Sequence, residues 1–64
     1  MTVDPDRAAF EVFTDEAGEV RWRLLARNGE IVAVSEGYTT KAAALDTVAL
    51  VRILAPEAEV EDLT

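Results

Sequence analysis

Cysteine and histidine are both missing from this chain. Without cysteine there is no disulfide and no thiolate metal site, and without histidine the commonest metal ligand and neutral-pH base is gone. Ser35 accordingly has no imidazole to activate it, and it lies in no nucleophile-elbow motif. No apolar run approaches the ~18 residues of a membrane-spanning helix. The first residues, MTVDPDR, lack the basic start and apolar core of an export signal. A cytoplasmic protein with no membrane attachment is expected.

Positive charge is scarce as well. Lysine and arginine number 6 against 13 aspartates and glutamates, a net charge of −7 spread along the chain. Phosphate backbones should be repelled by it, which disfavours nucleic acid as a partner. The acid excess fits either an ordinary acidic protein or a high-salt source, where a Debye length of ~3 Å at molar salt screens self-repulsion. General acid–base work by the many carboxylates needs a pocket that shifts a pKa, and 64 residues leave little room for one. Glu59, Glu61 and Asp62 could gather a cation such as Ca²⁺, but their spacing matches no binding loop. No catalytic, cofactor-binding or metal residue is assigned, and no cofactor is expected.

A chain of this size buries only about 60% of its unfolded surface on folding. With neither disulfide nor metal to staple it, the remaining support is a second subunit.

What the sequence does contain is dense folding instruction. "AAFEVFT" (Ala8 to Thr14) and "VRWRLLA" (Val20 to Ala26) alternate at period two around "DEAGE" and read as a hairpin. Asn28-Gly29 is a strong hairpin signal, suited to a type I′ turn whose two central residues both have positive φ. "IVAVS" (Ile31 to Ser35) then follows as a third strand. A two-residue loop at Asn28-Gly29 sets Arg27 opposite Glu30, Leu24 opposite Ala33 and Arg21 opposite Glu36. A five-residue loop at Asp15 to Glu19 sets Val12 opposite Trp22, Phe10 opposite Leu24 and Glu11 opposite Arg23. Both registers collect Phe10, Val12, Val20, Trp22, Leu24, Ala26, Ile31 and Ala33 on a core face. The other face interleaves Glu11, Arg21, Arg23 and Glu36 with Phe13, Leu25, Val32 and Val34. Opposite charges facing each other across strands contribute roughly 0.2–1 kcal/mol per pair.

Thr39 or Thr40 can cap a helix running from Lys41 to Leu54. Ala44, Leu45, Val48 and Val51 form its stripe toward the sheet, while Ala42, Ala49, Leu50, Ile53 and Leu54 lie partly outside it. A helix apolar nearly all round belongs buried on more than one side. Pro56 should stop the helix and bias Ala55 toward an extended shape. "EAEVEDL" alternates, with Ala58 and Val60 on one face and Glu59 and Glu61 on the other, and suits a short acidic edge strand. Met1 to Asp6 reads as disordered, and residues 7–64 as one α+β domain.

The motifs F-x-V-[FY] at Phe10, W-R-L-x-A-x-N-G at Trp22 and S-E-G-Y-[ST]-[ST]-K-x-x-A at Ser35 together resemble the YegP-like family of small uncharacterised proteins. The resemblance covers Phe10 to Asp62. It implies a strand-strand-strand-helix-strand unit, present either as tandem copies or as two subunits that exchange C-terminal strands in one continuous sheet. This chain holds one copy, so a homodimer is implied, with Pro56, Ala58, Val60 and Leu63 at its interface. The chain departs from the family pattern at Asp46-Thr47-Val48, where an Asn-Gly-Ile run is frequent. It also has Leu50, Ile53, Leu54, Leu25 and Val34 at positions that are often polar.

Candidate functional residues follow from that surplus of apolar surface. Phe13, Leu25 and Val34 on the second sheet face, with Arg21 and Arg23 among them, and Leu50, Ile53 and Leu54 on the helix could contact another protein. Arg21 and Arg23 beside Phe13 also form the one basic and aromatic cluster, an alternative nucleic-acid platform. Glu11 and Glu36 are expected to neutralise it. Ser35 is expected as a strand-end hydroxyl opposite Trp22, Trp22 as core, and Tyr38 as packing over the sheet edge rather than as a ligand contact. A non-enzymatic homodimeric interaction module is the leading expectation.

Overall fold

The computed structural model of the chain describes residues 7–64, so the expected disorder of Met1 to Asp6 lies outside the described residues. Three strands, β1 (Ala9–Thr14), β2 (Val20–Leu25) and β3 (Ile31–Val34), are followed by the helix α1 (Lys41–Leu54) and a short 3₁₀ turn at Ala55–Glu57. The sheet is an antiparallel meander in the order β1-β2-β3. It is an α+β architecture whose three strands and helix follow the expected order, while the expected C-terminal strand is not formed.

The first hairpin keeps the expected register, with Phe10 opposite Leu24, Glu11 opposite Arg23 and Val12 opposite Trp22. Its loop is the expected five residues, Asp15 to Glu19. Within it the Asp15 N–H donates to the Glu19 carbonyl at 2.8 Å and the Gly18 N–H to the Asp15 carbonyl at 3.0 Å. Gly18 takes φ +84°, a left-handed conformation that only glycine adopts cheaply. The Asp15 carboxylate completes the turn by accepting from the Ala17 and Glu19 N–H groups, each at 2.9 Å.

The second hairpin uses the same device, which corrects the expected type I′ turn. The Ala26 N–H donates to the Glu30 carbonyl at 2.8 Å and the Gly29 N–H to the Ala26 carbonyl at 2.9 Å. Gly29 has φ +86° while no described non-glycine residue has positive φ, so Asn28 is not left-handed. The side chain of Asn28 instead accepts from the Glu30 N–H at 3.0 Å. This loop is one residue longer than a type I′ turn, so Leu25 pairs with Ile31 rather than with Val32. An irregularity between Leu24 and Leu25 then takes up the extra residue and restores the expected pairing of Leu24 with Ala33 and Arg23 with Val34. Ile31, expected on the core face, is in consequence opposite an outer-face residue and 56% exposed.

Ser35 sits opposite Trp22, as its position in the strand suggested. Its N–H donates to the Trp22 carbonyl at 2.9 Å, and its hydroxyl accepts the Trp22 N–H at 2.9 Å while donating to the Glu36 carbonyl at 2.7 Å. A side-chain oxygen thus replaces the carbonyl that a regular ladder would offer. The chain then brings Tyr38 beside Val20 through two backbone hydrogen bonds of 2.8 Å, extending the β2 edge before the helix begins.

Thr40 is the N-cap, its hydroxyl accepting from the Ala43 N–H at 3.1 Å. The helix lies across β1 and β2, with Ala44 fully buried and Val48 and Val51 half-buried beneath it. Leu45, expected in this stripe, is 45% exposed. One residue further along a helix is 100° further round, so with Ala44 pointing at the sheet Leu45 points along it, and Thr47 takes the flanking place. Phe10 meets Trp22 edge-on at 5.4 Å between ring centroids.

The α-helix ends at Leu54, as expected ahead of Pro56. Ala55 remains right-handed helical at φ −56°, ψ −44°, contrary to the extended shape expected for it, and Pro56 occupies the start of a 3₁₀ turn. The Ala55 N–H still reaches the Val51 carbonyl, and the lack of an N–H on Pro56 ends the α-helical ladder at that point. Only at Ala58 does the backbone become extended, with φ −73° and ψ 125°. Ala58 to Thr64 is exposed throughout and forms no strand within a single copy, contrary to the short acidic edge strand expected there.

Candidate interaction surfaces

The expected partner-contacting residues fall on two separate surfaces. The sheet face turned away from α1 carries Phe13, Arg21, Arg23, Leu25 and Val34, with Val34 64% exposed and Val32 beside it 60% exposed. The exposed helix surface carries Leu50 (51%), Ile53 (64%) and Leu54 (50%), and Leu45 at its flank is 45% exposed. Sequence patterning missed Leu45 because its apolar character was assigned to the core stripe.

Both arginines of the sheet face are engaged by carboxylates. The Arg23 Nε lies 2.7 Å from Glu11 Oε1, the expected pair, and its guanidinium sits 4.7 Å from the centroid of the Phe13 ring. Arg21 pairs with Asp15 at 2.6 Å, not with Glu36 as expected, and also donates to the Ser35 carbonyl at 3.2 Å. The tight first loop swings Asp15 into reach, whereas the chain beyond Ser35 is drawn toward Val20 by Tyr38. The Arg21 guanidinium, together with the Glu19 and Ala17 N–H groups, holds the Asp15 carboxyl below the usual carboxylate range. The same carboxylate raises the pKa of Arg21.

The expected interface residues Pro56, Ala58, Val60 and Leu63 are all exposed, Val60 at 97% and Leu63 at 85%. Buried apolar residues are correspondingly few. Among the described residues only Trp22 and Ala44 fall in that class, and Phe10, Val12, Val20 and Leu24 are half-covered. The buried Trp22 indole N–H meets no acceptor within a single copy. Two open grooves flank β1 where α1 crosses it. One of about 400 Å³ is lined by Ala8, Ala9, Phe10, Leu24, Val48 and Arg52, and one of about 440 Å³ by Val12, Phe13, Thr14, Val20 and Lys41.

Among the described residues there is no group of three or more Asp or Glu side chains placed to hold a metal ion, Glu59, Glu61 and Asp62 included. The Asp62 carboxylate instead accepts from the Thr64 hydroxyl and N–H, which lower its pKa. No helix among the described residues is long and apolar enough to cross a membrane.

A family model described as a domain of unknown function (DUF1508) matches residues 15–62. A UPF0339 protein of Agrobacterium fabrum is 49% identical over 55 residues, which make up 86% of this chain and 89% of that one. The solution structure of a protein from Haloferax volcanii superposes with a TM-score of 0.80 at 43% identity, covering 89% of this chain and 97% of its own. A UPF0339 protein of Stutzerimonas stutzeri is 46% identical over 48 residues, 75% of this chain but only 43% of that relative. It is therefore more than twice as long as the matched stretch.

Proposed function

The chain belongs to the DUF1508 family, a domain of unknown function and the family to which its motifs pointed; from that premise we propose that it is a non-enzymatic homodimeric interaction module whose subunits exchange their C-terminal segments. One observation carries the reading. With only two buried apolar residues among the described ones, the chain holds out Val60 and Leu63 at 97% and 85% exposure, on a segment that forms no strand within a single copy. Each large apolar side chain gains about 1.5–3 kcal/mol when covered, so a second copy is the simplest cover. The relative more than twice as long as the matched stretch has room to supply the second unit within one chain.

Once the segment is docked, the outer sheet face and the outer helix face are left for another protein. Leu25, Val34 and Val32 on one, or Leu50, Ile53 and Leu54 on the other, would form the contact. The ion pairs of Arg21 and Arg23 weigh against nucleic acid as that partner, since each guanidinium already holds a carboxylate. Native pull-down of the tagged chain from an extract of its own source tests the proposal, with mass and bound molecules recorded. A dimer carrying one stoichiometric protein, lost on Leu25→Glu or on Ile53→Glu, supports it and identifies the face. Recovery of a single copy, or of nucleic acid released by Arg21→Glu with Arg23→Glu, overturns it.

A further inference from the structure

We infer that Asn28 is a site of spontaneous chemical modification, poised for deamidation and held back by the hydrogen bond from the Gly29 N–H to the Ala26 carbonyl. Asn28 carries the one side-chain amide of the chain, which has no glutamine, and glycine follows it. It is exposed in the loop of the second hairpin. The lock lies within a single copy and stands whether or not two copies exchange segments.

The reaction needs a nucleophile and an electrophile that this dipeptide supplies itself. The backbone nitrogen of Gly29, having given up its proton, attacks the side-chain carbonyl carbon of Asn28. The bond from that carbon to the amide nitrogen breaks, ammonia leaves after taking up a proton from solvent, and a five-membered imide closes. Water then opens the imide at either carbonyl, leaving aspartate or isoaspartate. The sum is water in and ammonia out, with no oxidant or reductant. Glycine has no Cβ to obstruct the attack, and no neighbouring atom lies within 4 Å of where one would stand.

The folded loop treats the two groups differently. The Asn28 side-chain oxygen accepts from the Glu30 N–H at 3.0 Å, a donor that polarises the carbonyl and meets the charge gathering on that oxygen during attack. The electrophile is therefore ready. The nucleophile is not, because the Gly29 N–H donates to the Ala26 carbonyl at 2.9 Å and the Ala26 N–H closes the same loop on the Glu30 carbonyl at 2.8 Å. Until those bonds open, the Gly29 proton is engaged and its nitrogen cannot turn to the side chain.

The two products affect the sheet differently. Aspartate keeps an oxygen for the Glu30 N–H. Isoaspartate routes the main chain through the side-chain methylene, adding an atom to the loop that sets Leu25 opposite Ile31 and produces the irregularity beside Leu24. Because β3 is joined to the sheet through β2 alone, isoaspartate at this position loosens the strand that carries Val32 and Val34.

Incubation of the full chain at neutral pH, folded and in guanidinium chloride, tests this by intact mass and by peptide mapping that separates aspartate from isoaspartate. With a single side-chain amide, replacement of NH by O reports Asn28 alone. Conversion in the folded chain is expected to be about ten-fold or more slower than in the denatured one, the factor equivalent to ~1.4 kcal/mol of loop opening. It should rise with sub-denaturing guanidinium in step with hydrogen exchange at the Gly29 amide. After refolding, the isoaspartyl fraction should unfold at lower denaturant than the parent, whereas Asn28→Asp should match it. No conversion in either state overturns the site, and equal rates in both, or a Gly29 amide that exchanges without protection, overturn the lock. An isoaspartyl chain as stable as the parent overturns the consequence for β3.

Discussion

Replacing Ser35 with alanine isolates one small group on which the sheet depends. The residue is 8% exposed, and its hydroxyl accepts the Trp22 N–H at 2.9 Å and donates to the Glu36 carbonyl at 2.7 Å. Alanine keeps the strand and removes both bonds. Glu36 is exposed, so its carbonyl can turn to water, but Trp22 is buried and its N–H is left without an acceptor. An orphaned buried donor costs about 1–3 kcal/mol, which puts the expected destabilisation near 2 kcal/mol. For a domain of this size that corresponds to a fall in Tm of roughly 8–16 °C, at about 4–8 °C per kcal/mol. Denaturant titration followed by fluorescence of the one tryptophan, Trp22, reads it directly. Protein concentration is held fixed because association contributes to apparent stability. Ser35→Thr keeps the hydroxyl and should recover most of the loss. A Ser35→Ala midpoint within about 0.5 kcal/mol of the parent, the ordinary range of surface substitutions, or a Thr variant no better than Ala, would show that the hydroxyl does not support the sheet.

Asp15 has a folded pKa below its unfolded value of about 3.9, so its contribution is present above that value and is lost as pH falls through the folded one. Asp15→Asn should therefore flatten the acid limb of stability below about pH 4, and parallel limbs for parent and variant would show that the contribution is absent. Gly18→Ala meets open space but an unfavourable backbone at φ +84°, and should cost about 1–2 kcal/mol in a urea titration. Deleting Glu57 to Thr64 should leave a chain that does not fold stably, so a well-dispersed monomeric NMR spectrum of it would contradict the exchange. Each copy carries −7, so raising salt from low to molar concentration should tighten the dimer, as read by sedimentation.

The fold was legible where side-chain period and turn chemistry spoke together. The alternation from Ala8 to Ala26 identified β1 and β2, and the register of Phe10, Glu11 and Val12 against Leu24, Arg23 and Trp22 came out as expected. The helix limits were equally plain, and the cap was narrowed to Thr39 or Thr40, of which the structure uses Thr40. What was not legible depended on backbone details finer than a pattern of residue types. Asn-Gly suits two kinds of hairpin loop, and the one formed here is a residue longer, which displaced Ile31 from the core face. Pro56 suits the end of a helix and the start of a 3₁₀ turn equally, and only the second carries the chain onward. Leu45 was indistinguishable from a core leucine, because an apolar helix surface records that burial is needed without saying what supplies it. Arg21 was given the partner its strand position named, whereas the tight loop offered Asp15 first.

Light-scattering mass of the full-length chain across a range of concentrations, in the salt of its source, decides most simply whether two copies complete the fold. Twice the mass of one chain is expected, persisting on dilution and reverting to unfolded single chains in denaturant. A folded particle with the mass of one chain at every concentration would contradict the exchange, because Val60 and Leu63 would then remain uncovered in the native protein.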